Sequence, residues 1–450
     1  MYVPKITRFW KPAEVFVLRT AWIFFVMLSI PYDLNLYCSL SGPLSSFENL
    51  FQLATFRTSF IPESLYAGIN PEGYLNWLIA LFAAVAGAFF WSSRRPIVDH
   101  AGYDRLYYWL RVLLRYRLAL AALFIGVVKV LPIQIPELTL SDLHTGYGDF
   151  LLWKLYYLTN AISTAGYLPV IGLLEIAGGL LLLNRRTSVM GSGLLLAIFL
   201  NVVLVNYVYD IGEQVYSSFL FLLSVVIFWH DVPRLYRLLF REIQVEPDRF
   251  VPFFDSKVRI VRPYLRALFL LTAAFFSVQA YASWQGTNYP YPNRRGIPDV
   301  AGYYDVKDFV WKGDTIAYSL TDSVRWQDVV FEEWNTLSLR DNRPVKIDSL
   351  KPRIVYQRNR DRNYEQSGNG GRHFYRYEYS NAEEGVAPVM VLENKTDPGR
   401  HYHFTFSQPA PGEIVLEGTD WLGDSLSVHL ERIPKKYLLR EGRRNPLKIY

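Results

Sequence analysis

The residues of this sequence best able to do chemistry are a lysine and a glutamate set inside long apolar runs. Lys129 stands in the run GVVKV and Glu175 in GLLEIAGG. A charge within hydrocarbon costs about 2.5–3.5 kcal/mol on insertion scales, so it turns toward a bundle interior, finds a partner, and commonly serves as a ligand or proton site. At a rise of about 1.5 Å per residue, Lys129, Glu175 and Asn201 each lie roughly 18 Å from the same side of the membrane. An ion pair between Lys129 and Glu175 is expected at that level, with Asn201 beside it. Gln134, Asn206 and Asp210 form a second polar layer slightly further out, with Asn206 and Asp210 four residues apart on one helix face. These six residues are the candidate ligand-binding set, and no catalytic residue is assigned. Ala122 and Gly126 near Lys129, and Gly172, Gly178 and Gly179 near Glu175, would let neighbouring backbones approach. The competing reading is structural: the pair locks helix register and Asn201 acts as a staple.

Other chemistry is thinly represented. His401 and His403 share a strand face, and His373 is a candidate third metal ligand, but Thr405 and Ser407 on that face read as a solvated strand. Asn394-Lys395-Thr396 matches a glycosylation sequon. There is no phosphate-binding loop, GxSxG elbow, HExxH or paired haem ligand in the helices. Cys38 is the only cysteine, which excludes an internal disulfide and a CxxC pair. Electron transfer would therefore need a partner's redox centre.

The elements that must position these groups are set by composition. Of 450 residues, 51% are hydrophobic and 16% aromatic, high for a soluble chain. Seven apolar stretches read as transmembrane helices: 13–31, 75–91, 116–135, 167–183, 189–208, 215–229 and 264–284. The first follows Lys5, Arg8 and Lys11 without a small-residue cleavage site and reads as a retained anchor. Arg19, near its inner edge, is expected to snorkel. With the helices alternating, one side gathers sixteen basic residues and the other two, Arg57 and Lys154. The positive-inside rule then puts the N-terminus in the cytoplasm of a cell with an inner membrane, and the C-terminal domain outside it, in the periplasm. The basic connector from Arg234 to Arg262 reads as contact with anionic lipid. Residues 45–60, with Phe47, Leu50, Phe51 and Ala54 at helical spacing, read as an interfacial helix. The loop 134–166, with its aromatic stretch 149–162, reads as a second collar at the interface.

A Gly- and Pro-rich linker spans 285–300, and the domain 301–450 that follows shows short alternating runs at 315–320, 324–334, 373–379, 388–393, 401–407, 413–418 and 425–431. About seven strands suggest a sandwich or small barrel. The expected fold is an α-helical polytopic membrane bundle over 1–284 followed by an all-β domain.

The stretch 115–240 resembles DoxX-like membrane proteins, in particular a longer subgroup with extra helices and a C-terminal extracytoplasmic domain. The resemblance rests on Arg115-Tyr116, Gly126-Val127-Val128-Lys129, Gln134-Ile135-Pro136, Gly148-Asp149 and Gly172-Leu173-Leu174-Glu175 with Gly178-Gly179-Leu180-Leu181-Leu182. It continues through Arg185-Arg186-Thr187 and Asn201-Val202-Val203 with Asn206 and Tyr209-Asp210. It implies a four-helix core over about 113–240 and links to membrane-associated redox complexes and quinone-coupled oxidation of sulfur compounds. Two functions follow as expectations. One is an accessory or anchoring component of a redox complex that holds a quinone in the polar pocket. The other is a non-enzymatic envelope assembly or cargo-binding protein whose β domain binds a protein partner. No inverted repeat supports a transporter, and nothing points to nucleic acid.

Overall fold

The computed structural model describes residues 10–32, 47–61, 73–94, 100–162, 166–245, 256–287, 289–349, 359–380 and 388–441. Lys5, Arg8, Cys38, Arg95 and Arg249, and the first two residues of the expected helix 45–60, lie outside them. The helices are α1 Pro12–Ser29, α2 Phe47–Ala54, α3 Tyr74–Arg94, α4 His100–Val130, α5 Leu140–Leu143, α6 Leu152–Ala161, α7 Tyr167–Leu183, α8 Ser188–Val208, α9 Gln214–Trp229, α10 Val232–Phe240 and α11 Ser256–Thr287. The chain divides into a helical unit, Met1–Leu131 with Pro169–Ala282, and a β unit, Pro132–Leu168 with Ser283–Tyr450.

The helical unit is apolar on its outside. In α3 the buried residues are Asn76, Ala80, Ala84 and Ala88, while Leu78, Leu81, Phe82, Val85 and Phe89 are exposed. Small residues inward and large apolar ones outward is the arrangement of a helix solvated by lipid. Glycines bring the backbones together. A Cβ on Gly191 of α8 would sit 2.8 Å from the Gly178 carbonyl oxygen of α7.

Among the described residues four helices are long and apolar enough to cross a membrane (Pro12–Ser29, Tyr74–Arg94, Ser188–Val208 and Ile260–Gly286), or five if the bent pair α9 and α10 counts as one span. The expected count of seven is therefore corrected. The third stretch lies only as far as Val130 in a helix, one of 31 residues that carries Arg115, Arg117 and Lys129. The fourth is a helix of 17 residues and the sixth a helix of 16, each short of the roughly 20 that hydrocarbon requires.

Two arginines of this unit bind carbonyls at helix ends, which lack intrahelical partners. Arg115 Nε donates to Leu182 O at 2.8 Å, and Arg117 Nη1 donates to Ala54 O at 2.7 Å. Arg19 does not snorkel. It is buried, donates to Ser92 Oγ at 2.7 Å, and bonds the Tyr103 hydroxyl.

The β unit holds strands β1 Gly302–Trp311, β2 Asp314–Thr315, β3 Asp328–Phe331, β4 Thr336–Arg340, β5 His373–Ser380, β6 Val389–Asn394, β7 His401–Ser407, β8 Glu413–Thr419 and β9 Ser425–Arg432. Apart from β2, a two-residue strand on the edge of β1, each pairs antiparallel with the next, and β1 pairs with β9 from Tyr304↔Arg432 to Trp311↔Leu426. The sheet thus closes into an eight-stranded barrel, which settles the choice between sandwich and barrel and removes the open edge. Tyr402, Phe404 and Phe406 of β7 alternate inward with Leu426, Val428 and Leu430 of β9 around Trp326.

Two strands escaped the sequence reading. In β1 the inward alternation changes phase at a bulge between Val306 and Asp308. In β4 both faces are buried, so no alternation shows. The expected strand 315–320 shrinks to Asp314–Thr315, and 324–334 narrows to Asp328–Phe331. The loop 134–166 packs on the barrel: Leu151 N donates to Gly368 O at 2.9 Å and Gly370 N to Asp149 O at 2.7 Å. Tyr291, within the expected linker, is buried and stacks on Trp334 at 4.3 Å.

Candidate functional site in the helical unit

Lys129 lies in the last turn of α4, and Glu175 lies midway along α7. The two helices meet through glycine. A Cβ on Gly126 would lie 2.7 Å from Gly172 O. Each glycine is three residues from one of the charges, so the close crossing brings the two side chains to one place. Lys129 Nζ lies 2.5 Å from Glu175 Oε1, with the glutamate side chain fully buried and the lysine 10% exposed. The other carboxylate oxygen, Oε2, is buried and has no hydrogen-bond partner among the described residues. A buried carboxylate with one oxygen neutralised by an ammonium and one oxygen open can accept a hydrogen bond from a ligand hydroxyl or take up a proton.

The other candidates do not join this pair. Asn201 is exposed, on the side of α8 away from the buried Leu195, Phe199 and Asn206. The expected level of three groups is therefore corrected to a pair. Depth follows from rise along the helix, but direction around the axis follows from packing. Asn206 is buried and spent on backbone: Nδ2 donates to Val202 O at 2.7 Å, and Oδ1 accepts from Glu213 N at 3.1 Å. It shapes the turn into α9. Asp210 is exposed in that turn at φ 49° and accepts from Gln214 Nε2 at 3.4 Å. Gln134 belongs to the β unit, with its Oε1 buried and unpartnered.

In the β unit the metal and glycan candidates separate. The His373 Nε2 lies 3.1 Å from Asp341 Oδ1 and is buried, whereas His401 and His403 are exposed. Among the described residues no three His, Cys, Asp or Glu are placed to hold a metal. Asn394 is buried, its Oδ1 accepting from the amides of Thr396 and Asp397.

A buried polar network in the β unit escaped the sequence reading. Glu332 Oε1 accepts from Ser141 N at 2.7 Å and Ser141 Oγ at 2.6 Å, and Oε2 accepts from Leu140 N at 3.2 Å. Burial pushes the Glu332 carboxyl up to about 7, opposed by the bonds from Ser141 and assisted by Glu365 and Asp142. Lys154, fully buried, donates to Tyr364 O at 2.6 Å and lies 3.7 Å from Asp142 Oδ1. Burial lowers its pKa, with Asp142 and Glu365 restoring part. Glu365 is held by Trp334, Thr336 and Lys395. Arg372 Nε donates to Ser338 Oγ at 2.7 Å, and Nη1 donates to His144 O at 3.1 Å. The network clasps the segment 139–154 to β3, β4 and β5. A glutamate following a strand reads locally as solvated, and only Lys154, set among Trp153, Tyr156 and Tyr157, carried a signal in sequence.

Compared with known proteins, the chain matches no family model and no solved structure. It is 31% identical over 134 residues to the uncharacterized protein YwoB of Bacillus subtilis (strain 168), a stretch covering 29% of this chain and 83% of that protein. With that identity across most of YwoB, this chain belongs to the YwoB family.

Proposed function

We propose that this is a DoxX-like integral membrane protein acting as an accessory component of a membrane redox system, with a quinone-like molecule held at Lys129 and Glu175. The observation that carries the reading is the buried Oε2 of Glu175, without a hydrogen-bond partner among the described residues, beside an ammonium on Oε1. An ammonium donates to a quinone carbonyl, and a carboxylate accepts from the hydroxyl of the reduced form, so one pair serves both redox states. The electrons come from a partner protein, since the chain has no haem, flavin or metal motif of its own. A cytoplasmic N-terminus and a barrel outside the inner membrane, where it meets its partner, belong to this reading and require an odd number of spans.

Mass spectrometry of small molecules extracted from the detergent-purified protein tests the reading. A quinone is expected in near-stoichiometric amount, and Glu175→Gln is expected to abolish its retention without lowering insertion. Protein purified without quinone, but with a stable partner lost on deleting residues 300–450, would instead favour the assembly or cargo-binding reading.

A further inference from the structure

The segment after α9 has a composition that neither a buried helix nor a solvated one would carry. In α10, VPRLYRLLF, Arg234 and Arg237 share one face with Arg241 just beyond the helix end. At 3.6 residues per turn Val232, Leu235, Tyr236, Leu239 and Phe240 fall on the opposite face, with Leu238 at the border. No residue of the helix is buried, and Leu239 and Phe240 are 68% and 77% exposed. The apolar face is ordered within itself: the rings of Tyr236 and Phe240 stack at 5.4 Å, and Arg241 lies over Tyr236 at 5.8 Å.

The helix is also turned. Its axis departs by 59° from that of α9, and contacts within the helical unit support the bend. The Tyr107 hydroxyl lies 2.9 Å from His230 Nδ1, and Arg111 pairs with Asp231 at 3.7 Å. At this corner Trp229 of α9 is exposed, and indoles favour the headgroup region of a bilayer. The corner therefore combines an exposed indole, Arg234 and Arg237 within the helix with Arg241 and Glu242 just beyond it, and an exposed apolar face on α10.

We infer that α10 lies along the membrane interface, with Leu239 and Phe240 in the acyl boundary and Arg234, Arg237 and Arg241 bound to anionic phospholipid headgroups. Charge decides the occupant. Guanidinium groups pair bidentately with phosphate oxygens, and an apolar face at this level is satisfied by acyl chains. A helix dipping into the hydrocarbon instead would have to bury the same three arginines.

The test uses the full chain in nanodiscs, with Cys38→Ser and a fluorophore on Leu239→Cys. In discs containing phosphatidylglycerol, shallow spin-labelled lipid should quench the label, while aqueous acrylamide and a bilayer-centre quencher should act weakly. Native mass spectrometry should show retained phosphatidylglycerol. The triple variant R234Q/R237Q/R241Q should lose that retention by on the order of 100-fold, and the triple lysine variant should keep most of it. Free access of acrylamide in these discs, strongest quenching at the bilayer centre, or unchanged retention in the glutamine variant would each overturn the inference.

Discussion

Gly126 and Gly172 cross so closely that a Cβ on the second would lie 2.6 Å from the carbonyl oxygen of the first. The backbones of α4 and α7 meet at that point, flanked by Val130 and Ile176, and the Lys129–Glu175 pair one turn away depends on the contact. Gly172→Ala should force the helices apart at a cost of roughly 1–3 kcal/mol. Gly148→Ala, with no atom within 4 Å of the added methyl, should be close to neutral. Thermal unfolding of the detergent-solubilised protein reads both; equal melting temperatures would contradict the tight crossing.

The ion pair itself should be strongly coupled. Removing one partner leaves an uncompensated charge out of water, at a cost of about 3–5 kcal/mol, whereas replacing both with apolar residues costs far less. Lys129→Met and Glu175→Leu should each lower stability sharply, and the double variant should recover much of the loss. A double-mutant cycle in denaturant reads the coupling, and additive losses would show that the groups do not interact.

The buried Glu332 and the half-buried His144 of the β unit should drive its stability in opposite directions with pH. The Glu332 carboxyl rises from 4.5 to about 7 on folding, so the folded state holds the extra proton. Its contribution is full below pH 4.5 and is lost as pH rises through 7, about 3 kcal/mol in all. His144 falls from 6.5 to about 4, through burial and the charges of Lys435, Arg372 and Arg340. Its contribution is full above pH 6.5 and lost as pH falls through 4. Between pH 4.5 and 6.5 the two slopes oppose, so Glu332→Gln should make stability climb more steeply over that range. Near-ultraviolet circular dichroism melts across that range check the sign.

Gly368 should tolerate no side chain. Its φ is +72°, and a Cβ would lie 2.6 Å from the Trp153 indole, so Gly368→Ala combines backbone strain of about 1 kcal/mol with a steric clash. The segment containing α6 should loosen from the barrel, seen as faster proteolysis between residues 140 and 160 and a red-shifted tryptophan emission. An unchanged cleavage rate would refute the packing.

How much was legible in sequence depended on whether a property was local. The apolar runs mark the helices because length and composition are properties of a contiguous stretch, and α3 and α8 follow them closely. The period-two pattern of β7 and β9 is visible because one face meets the core and the other meets water. It vanished in β4, where Thr336 and Ser338 turn outward yet are covered by Glu365 and Ser141.

The candidate site divides in the same way. Lys129 and Glu175 could be matched because height in a helix is counted in residues. Asn201 could not, because a helix apolar all round offers no sign of which side faces its neighbours.

By itself the sequence determined that this chain is a membrane protein with a β domain, and it put one ammonium and one carboxylate at a common depth. Tertiary structure decided that the two meet and that Asn201 turns away. It also closed the sheet by pairing β1 with β9 and laid residues 139–154 on the barrel. Those outcomes rest on contacts between residues far apart along the chain, whose free energy appears only once the intervening backbone has folded to bring them together.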